Sequence, residues 1–312
     1  MNEVVSRMIN TQALLFLYML AGIAVSKMRI ITNENRKVLV RLLMDVCVPM
    51  MVLDAFNRTY TAEEIRSSMV IMALSAVFCV LTGALGLLLW RGQDKARKPV
   101  LQFATMFSNA GIAGLPVISL VYGEMGLFYA SMYLIPPRIL QWTYGVSMFT
   151  TGKEGGERGS FVKNVLLNPV VIIVYIGFIM LVTGTSIPGV PGAAIAGIGD
   201  MTAPMSMMLL GATLANMNLR MLFDRSVLAI TGLRLLALPA LSVLMLSVTG
   251  IDPLIISVST TLLAMPIATN SATIAERYGG DYVFASACVS VSTLLSVVTV
   301  PVVTWFVQQM IV

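Results

Sequence analysis

The chain has 312 residues, 57% of them apolar and only 11% charged, with mean hydropathy +0.88 and a formal net charge of +5. A soluble domain carries about 25% charged residues, so this composition excludes one and describes a polytopic all-α membrane protein. The absence of His removes the commonest metal ligand and proton shuttle, and cations lying mostly in loops between apolar stretches argue against a nucleic-acid partner.

Apolar stretches near the ~20 residues that a bilayer requires fall at 11–27, 38–56, 69–90, 100–122, 126–149, 162–184, 197–217, 226–248, 253–276 and 283–308. The first does not read as a cleaved signal peptide. Only Arg7 precedes it, while Lys27, Arg29, Arg36 and Lys37 follow, and no small-residue cleavage site is evident. The second holds Arg41 and Asp45 four residues apart, the spacing of a helical ion pair, and Asp54 near its other end.

The fourth span contains Ser108-Asn109-Ala110-Gly111-Ile112-Ala113-Gly114-Leu115-Pro116, and the ninth Met265-Pro266-Ile267-Ala268-Thr269-Asn270-Ser271. Proline deletes a backbone donor and clashes with the preceding turn. In hydrocarbon the freed groups must find partners, so broken helices survive only inside protein or against a watery cavity. Two such breaks in corresponding halves point to the binding site of a secondary transporter. The half-helix amino ends offer N–H groups to carboxylates, with Asn109 and Asn270 as amide donors. An ordinary kink, with each Asn only capping its break, is the competing expectation.

Arg138 stands mid-way along the fifth span beside Pro136-Pro137, with no neighbouring acid. It either meets a substrate carboxylate or binds helix-break carbonyls. Arg234, in the first half of the eighth span, either snorkels to the nearer face or balances charge internally. The seventh span is the least distinct, with Pro188, Gly189, Pro191, Gly192 and Gly197 before it and Pro204 near its start. Cys47, Cys79 and Cys288 lie in apolar spans without paired spacing and read as packing residues. The Ser and Thr rows at Thr260-Thr261 and Ser290 to Ser296 read as bonding across helices, and the 23 Met as gap-fillers.

Loops after odd-numbered spans carry fourteen Lys and Arg, the opposite side only Arg7, Arg58 and Arg66. That bias puts the first set in the cytoplasm and both termini outside it. The polar connector at 151–163 divides the chain into two sets of five spans, 1–150 and 164–312, of opposite topology. Leu120-Val121-Tyr122-Gly123 and Glu276-Arg277-Tyr278-Gly279 close the fourth and ninth spans, and Phe128 and Phe284 follow at equal distance. The expectation is a 5+5 inverted repeat.

The chain resembles the auxin efflux carrier family, which groups plant PIN carriers with short bacterial permeases. The resemblance runs over essentially the whole chain. It is carried by Asn109 to Pro116 with Tyr122-Gly123, Asn168-Pro169, Leu210-Gly211-Ala212-Thr213-Leu214-Ala215, Arg234 to Pro239, and Pro266. The short loop at 151–163 is similar to the bacterial members rather than the long-looped plant carriers.

The resemblance implies the fold of bile acid–sodium symporters. Helices 1, 2, 6 and 7 would be a dimerising scaffold and helices 3–5 and 8–10 a mobile transport domain, with helices 4 and 9 crossing at their prolines. The segment Arg138-Ile139-Leu140-Gln141-Trp142-Thr143-Tyr144 resembles the fifth helix of PIN carriers, in which a glutamine four residues before a tryptophan helps hold the auxin carboxylate. Arg138 stands at that position and offers a bidentate fork suited to a more highly charged anion.

The expected substrate-binding set is therefore Asn109, Gly114, Pro116, Arg138, Gln141, Tyr144, Pro266, Asn270 and Ser271, with Arg234 for charge balance and no cofactor. The expected activity is elevator-type transport of small carboxylates, with dicarboxylates and auxin-like acids as the classes in view. The setting is the bacterial inner membrane, as a homodimer in the lipid bilayer. A sodium-coupled symporter of the bile acid type is the alternative. An enzyme finds no carboxylate pair, metal cluster or nucleophile with a base, and a channel finds no recurring ring of charge.

Overall fold

The computed structural model describes residues 2–57, 60–150, 169–215, 223–278 and 280–311, which are predominantly helical, with no strand among them. In chain order the α-helices are α1 (Asn2–Lys27), α2 (Asn33–Leu42), α3 (Val48–Phe56), α4 (Ala62–Leu89), α5 (Lys98–Met106), α6 (Leu115–Tyr133), α7 (Ile135–Leu140) and α8 (Val146–Thr150). After the connector at 151–163, which lies outside the described residues, come α9 (Pro169–Thr183), α10 (Gly189–Asp200), α11 (Thr202–Ala215), α12 (Arg225–Gly232), α13 (Leu238–Leu246), α14 (Pro253–Leu263), α15 (Asn270–Tyr278) and α16 (Tyr282–Ile311). Single π-turns join α2 to α3 (Leu43–Cys47), α7 to α8 (Gln141–Gly145) and α12 to α13 (Leu233–Ala237), and another, Ala110–Gly114, precedes α6.

Five helical runs among the described residues are long and apolar enough to cross a membrane: Ala62–Leu89, Ala110–Phe149, Gly189–Ala215, Arg225–Leu246 and Tyr282–Met310. Shorter apolar helices cover Ala13–Lys27, Ile172–Leu181 and Pro253–Leu263. The seventh span begins at Gly189, eight residues before the expected Gly197. Pro191 lies in its first turn, where the missing N–H would have no helical partner anyway. Within the long α6 run, Gly123 adopts φ 67°, ψ −161°, a conformation open only to glycine, and the helix is interrupted where the sequence pattern closes the fourth span.

The chain divides into two compact units. The first comprises residues 1–71, 111–132 and 166–216. In it Phe56 is fully buried, packs edge-on against Phe128 at 5.2 Å and faces the bare Cα of Gly177. Asn57 fixes the turn ahead of α10, accepting from Ile187 N at 2.6 Å and donating to Ile187 O at 3.1 Å. Helices α1 and α11 meet at two glycines, since a Cβ on Gly22 would strike the Met208 backbone and one on Gly211 the Met19 carbonyl. Such small-residue seams let helices approach closely in lipid, where packing must replace the hydrophobic effect. Arg41 and Asp45 form the expected pair at 3.2 Å.

The second unit comprises residues 72–110, 133–165 and 217–312. Phe103, Phe107, Phe149, Ile267, Ile274 and Phe284 belong to one buried cluster that joins α5, α8, α15 and α16. Arg97 ties the starts of two helices together. It reaches Asp224 Oδ2 at 3.3 Å and Asp281 Oδ2 at 3.4 Å and lies 4.5 Å from the Phe284 ring centroid. Each aspartate turns its other oxygen to a helix amino end: Asp224 accepts from Ser226 N and Val227 N, and Asp281 from Phe284 N.

Candidate functional site

Two helices of the second unit stop short inside its core. Pro266 disfavours the α region for the preceding residue, and the chain is non-helical from the end of α14 at Leu263 until α15 begins at Asn270. Helix α5 ends at Met106, and Phe107 turns extended, with φ −115° and ψ 125°. The two extended segments pair antiparallel at Ser108 and Ile267. Asn109 N donates to Pro266 O at 2.7 Å, and Ala268 N donates to Phe107 O at 3.3 Å. Backbone groups freed by the two breaks thus satisfy each other, as a low-dielectric interior demands.

Side chains finish the frame. Ser108 Oγ donates to Leu262 O at 3.0 Å, closing the carboxyl end of α14. Ser292 Oγ accepts from Ile267 N at 3.1 Å, and Ser242 and Thr260 share a bond at 2.9 Å, so Ser292 and Thr260 bond between elements as expected, whereas Ser296 donates to Thr293 O of its own helix. Arg234 Nη1 donates to Thr105 O at 2.8 Å in the last turn of α5. Trp90 Nε1 donates to the hydroxyl of the same threonine, also at 2.8 Å. Arg234 is 1% exposed, so it does not snorkel: the partner it finds is the partly negative carbonyl end of a half-helix.

Several expected site residues meet here. Gln141 Nε2 donates to Asn270 Oδ1 at 3.2 Å, joining the π-turn after α7 to the first residue of α15. Ser271 N bonds Ala268 O at 3.0 Å. Asn109 Nδ2, Ser271 Oγ and Arg138 Nε are closed to solvent and find no hydrogen-bond partner among the described residues. A buried donor left unpaired is costly, and the second unit holds most such atoms among the described residues, with Gln102, Thr231, Arg234, Ser259, Thr293 and Thr299 beside these three. Tyr144 is half-buried against the aromatic cluster.

A comparison with protein-family models matches residues 8–304 to the family described as "Membrane transport protein". The chain belongs to this family. It is the auxin efflux carrier family to which the motifs pointed. The relatives of this membrane transport protein include an "Uncharacterized transporter" of Methanothermobacter thermautotrophicus, 27% identical over 288 residues that cover 90% of this chain and 92% of the relative. Another, named "Putative malonate transporter", comes from Rhizobium meliloti and is 24% identical over 263 residues, 82% of each chain.

Two expected residues fall outside the second unit. Gly114 and Pro116 fall in the first compact unit, beyond the pairing. The expected crossing at both prolines holds only for Pro266. Pro116 follows directly on the π-turn Ala110–Gly114 within one helical run, and the extended break of the fourth span lies earlier, at Phe107–Asn109. Thr105, Trp90 and Ser292 complete the frame without having been singled out as site residues. Thr105 participates through its carbonyl as much as its hydroxyl, a role that its identity does not advertise.

Proposed function

We propose that this membrane transport protein is a secondary carrier of small organic anions, dicarboxylates foremost, which binds them in its second compact unit beside the paired breaks. The observation that carries the reading is the pairing of residues 107–109 with 266–268, next to the buried, unpaired amide of Asn109. The amino end of α15 supplies N–H groups and a positive dipole end to a carboxylate. Asn109, Gln141, Asn270 and Ser271 supply neutral donors, and Arg138 a planar fork. The relative named for malonate transport supports the choice of a short dicarboxylate.

In this reading the ten spans form two inverted sets of five with both termini outside the cytoplasm, as the positive loops require. The first unit serves as a dimerising scaffold, and the second carries substrate in an elevator-type cycle. The test is a binding screen of malonate, malate, acetate and indole-3-acetate on the purified protein, with and without sodium. Dicarboxylates should bind tightest and without sodium. Binding of none of the four would remove the reading, and binding only in sodium would select the symporter alternative.

A further inference from the structure

The second unit holds positive charge that no buried carboxylate among the described residues offsets. Arg234 is 1% exposed, with a backbone carbonyl as the partner of Nη1 and none among the described residues for Nε. Arg138 Nε is equally closed off. The acids described in this unit (Asp94, Asp224, Asp252, Glu276 and Asp281) are all exposed or half-buried, and Asp224 and Asp281 are already engaged by Arg97. Arginine keeps its proton in such surroundings. Two guanidinium charges therefore sit within apolar spans, Arg234 buried and Arg138 half-buried, with no buried acid among the described residues of the unit to answer them, an expensive arrangement at membrane depth.

We propose that the protein is a dianion exchanger, in which a bound dicarboxylate neutralises the pair Arg138 and Arg234 and the carrier crosses the membrane readily only when so loaded. This rests on the preceding reading of the second unit as the carrying unit. Loaded with a dianion, the unit presents no net buried charge. A monocarboxylate leaves one positive charge and an empty site two, so the return step without substrate is slow. A ligand biases such an equilibrium by its differential affinity for the states, and here charge supplies that difference. Arg138 meets the substrate, whereas Arg234 acts through Thr105 and the end of α5 as a positioning and charge-setting residue. In exchange one dianion leaves as another enters, and no net charge moves.

The test uses the full-length protein in liposomes loaded with labelled malonate, with efflux followed into plain buffer, buffer with malonate, or buffer with acetate. External malonate should accelerate efflux by about tenfold or more, and acetate should not. Exchange should be indifferent to membrane potential. A lumen-negative potential should speed efflux into plain buffer, because the empty carrier then returns inward with its positive charges. The Arg138→Gln variant at saturating malonate, which lacks one charge, should lower the ratio of exchange to net efflux. Equal efflux into buffer and malonate, equal acceleration by acetate, or an unchanged ratio in the variant would each overturn the exchanger. Absence of transport for any carboxylate would instead remove the substrate reading and the exchanger with it.

Discussion

Replacing Asn109 by Ala should move stability and affinity in opposite directions, and the structure explains why. The bond that holds the two breaks together runs from Asn109 N to Pro266 O, so it survives loss of the side chain. The amide itself is 4% exposed, and its Nδ2 has no partner among the described residues. Removing a buried, unpaired donor relieves a desolvation penalty of about 1–3 kcal/mol, offset in part by the small cavity left behind. The ligand-free variant should therefore melt no lower than the parent. If Nδ2 donates to a bound carboxylate, the same magnitude is lost from binding, a weakening of about 5- to 150-fold in Kd. Calorimetric titration with malonate and thermal melts in detergent, with and without ligand, measure both quantities on one preparation. A ligand-free melting temperature well below the parent's, with Kd unchanged, would show that Asn109 is a structural cap and place the anion elsewhere.

Three further outcomes are expected. Gly22→Ala and Gly211→Ala each drive a Cβ into helix backbone and should cost about 1–3 kcal/mol; Gly232→Ala has nothing within 4 Å and a helical φ of −63°, so it should gain about 0.5–1 kcal/mol. Equal melting temperatures for the three variants would discount the α1–α11 seam. A cysteine at Val248, which is 83% exposed, should be labelled from the side opposite to one at Gly156 in the connector, and labelling of both from one side would end the inverted-repeat assignment. Arg138→Gln should weaken dicarboxylates more than monocarboxylates, with Arg138→Lys intermediate because a point charge lacks the planar fork; uniform losses with a lower melting temperature would make Arg138 structural.

What the sequence disclosed about the site depended on whether a residue acts through its side chain or its backbone. Pro266 announces its break, because a ring without an N–H has a fixed consequence for the residue before it. The other break was read from the right stretch and assigned to the wrong residue. Pro116 drew the eye, but the helical run passes through it with only a π-turn ahead, and the extended turn falls at Phe107, which carries no such signal. Asn109, Gln141 and Asn270 were legible as amides, and Gln141 and Asn270 prove to be each other's partners.

Arg234 shows the limit more sharply. Its burial could not be read, because its partner is a carbonyl 129 residues away in sequence, and every residue type offers a carbonyl. A search for a compensating Asp or Glu finds nothing and leaves snorkelling as the natural alternative. The seam at Gly22 and Gly211 escaped for a related reason: the atoms those glycines admit are the backbone of Met208 and Met19, whose side chains say nothing about it. In a membrane interior, where helix breaks and buried cations are satisfied largely by backbone, the residue type marks one end of each interaction and the fold alone supplies the other.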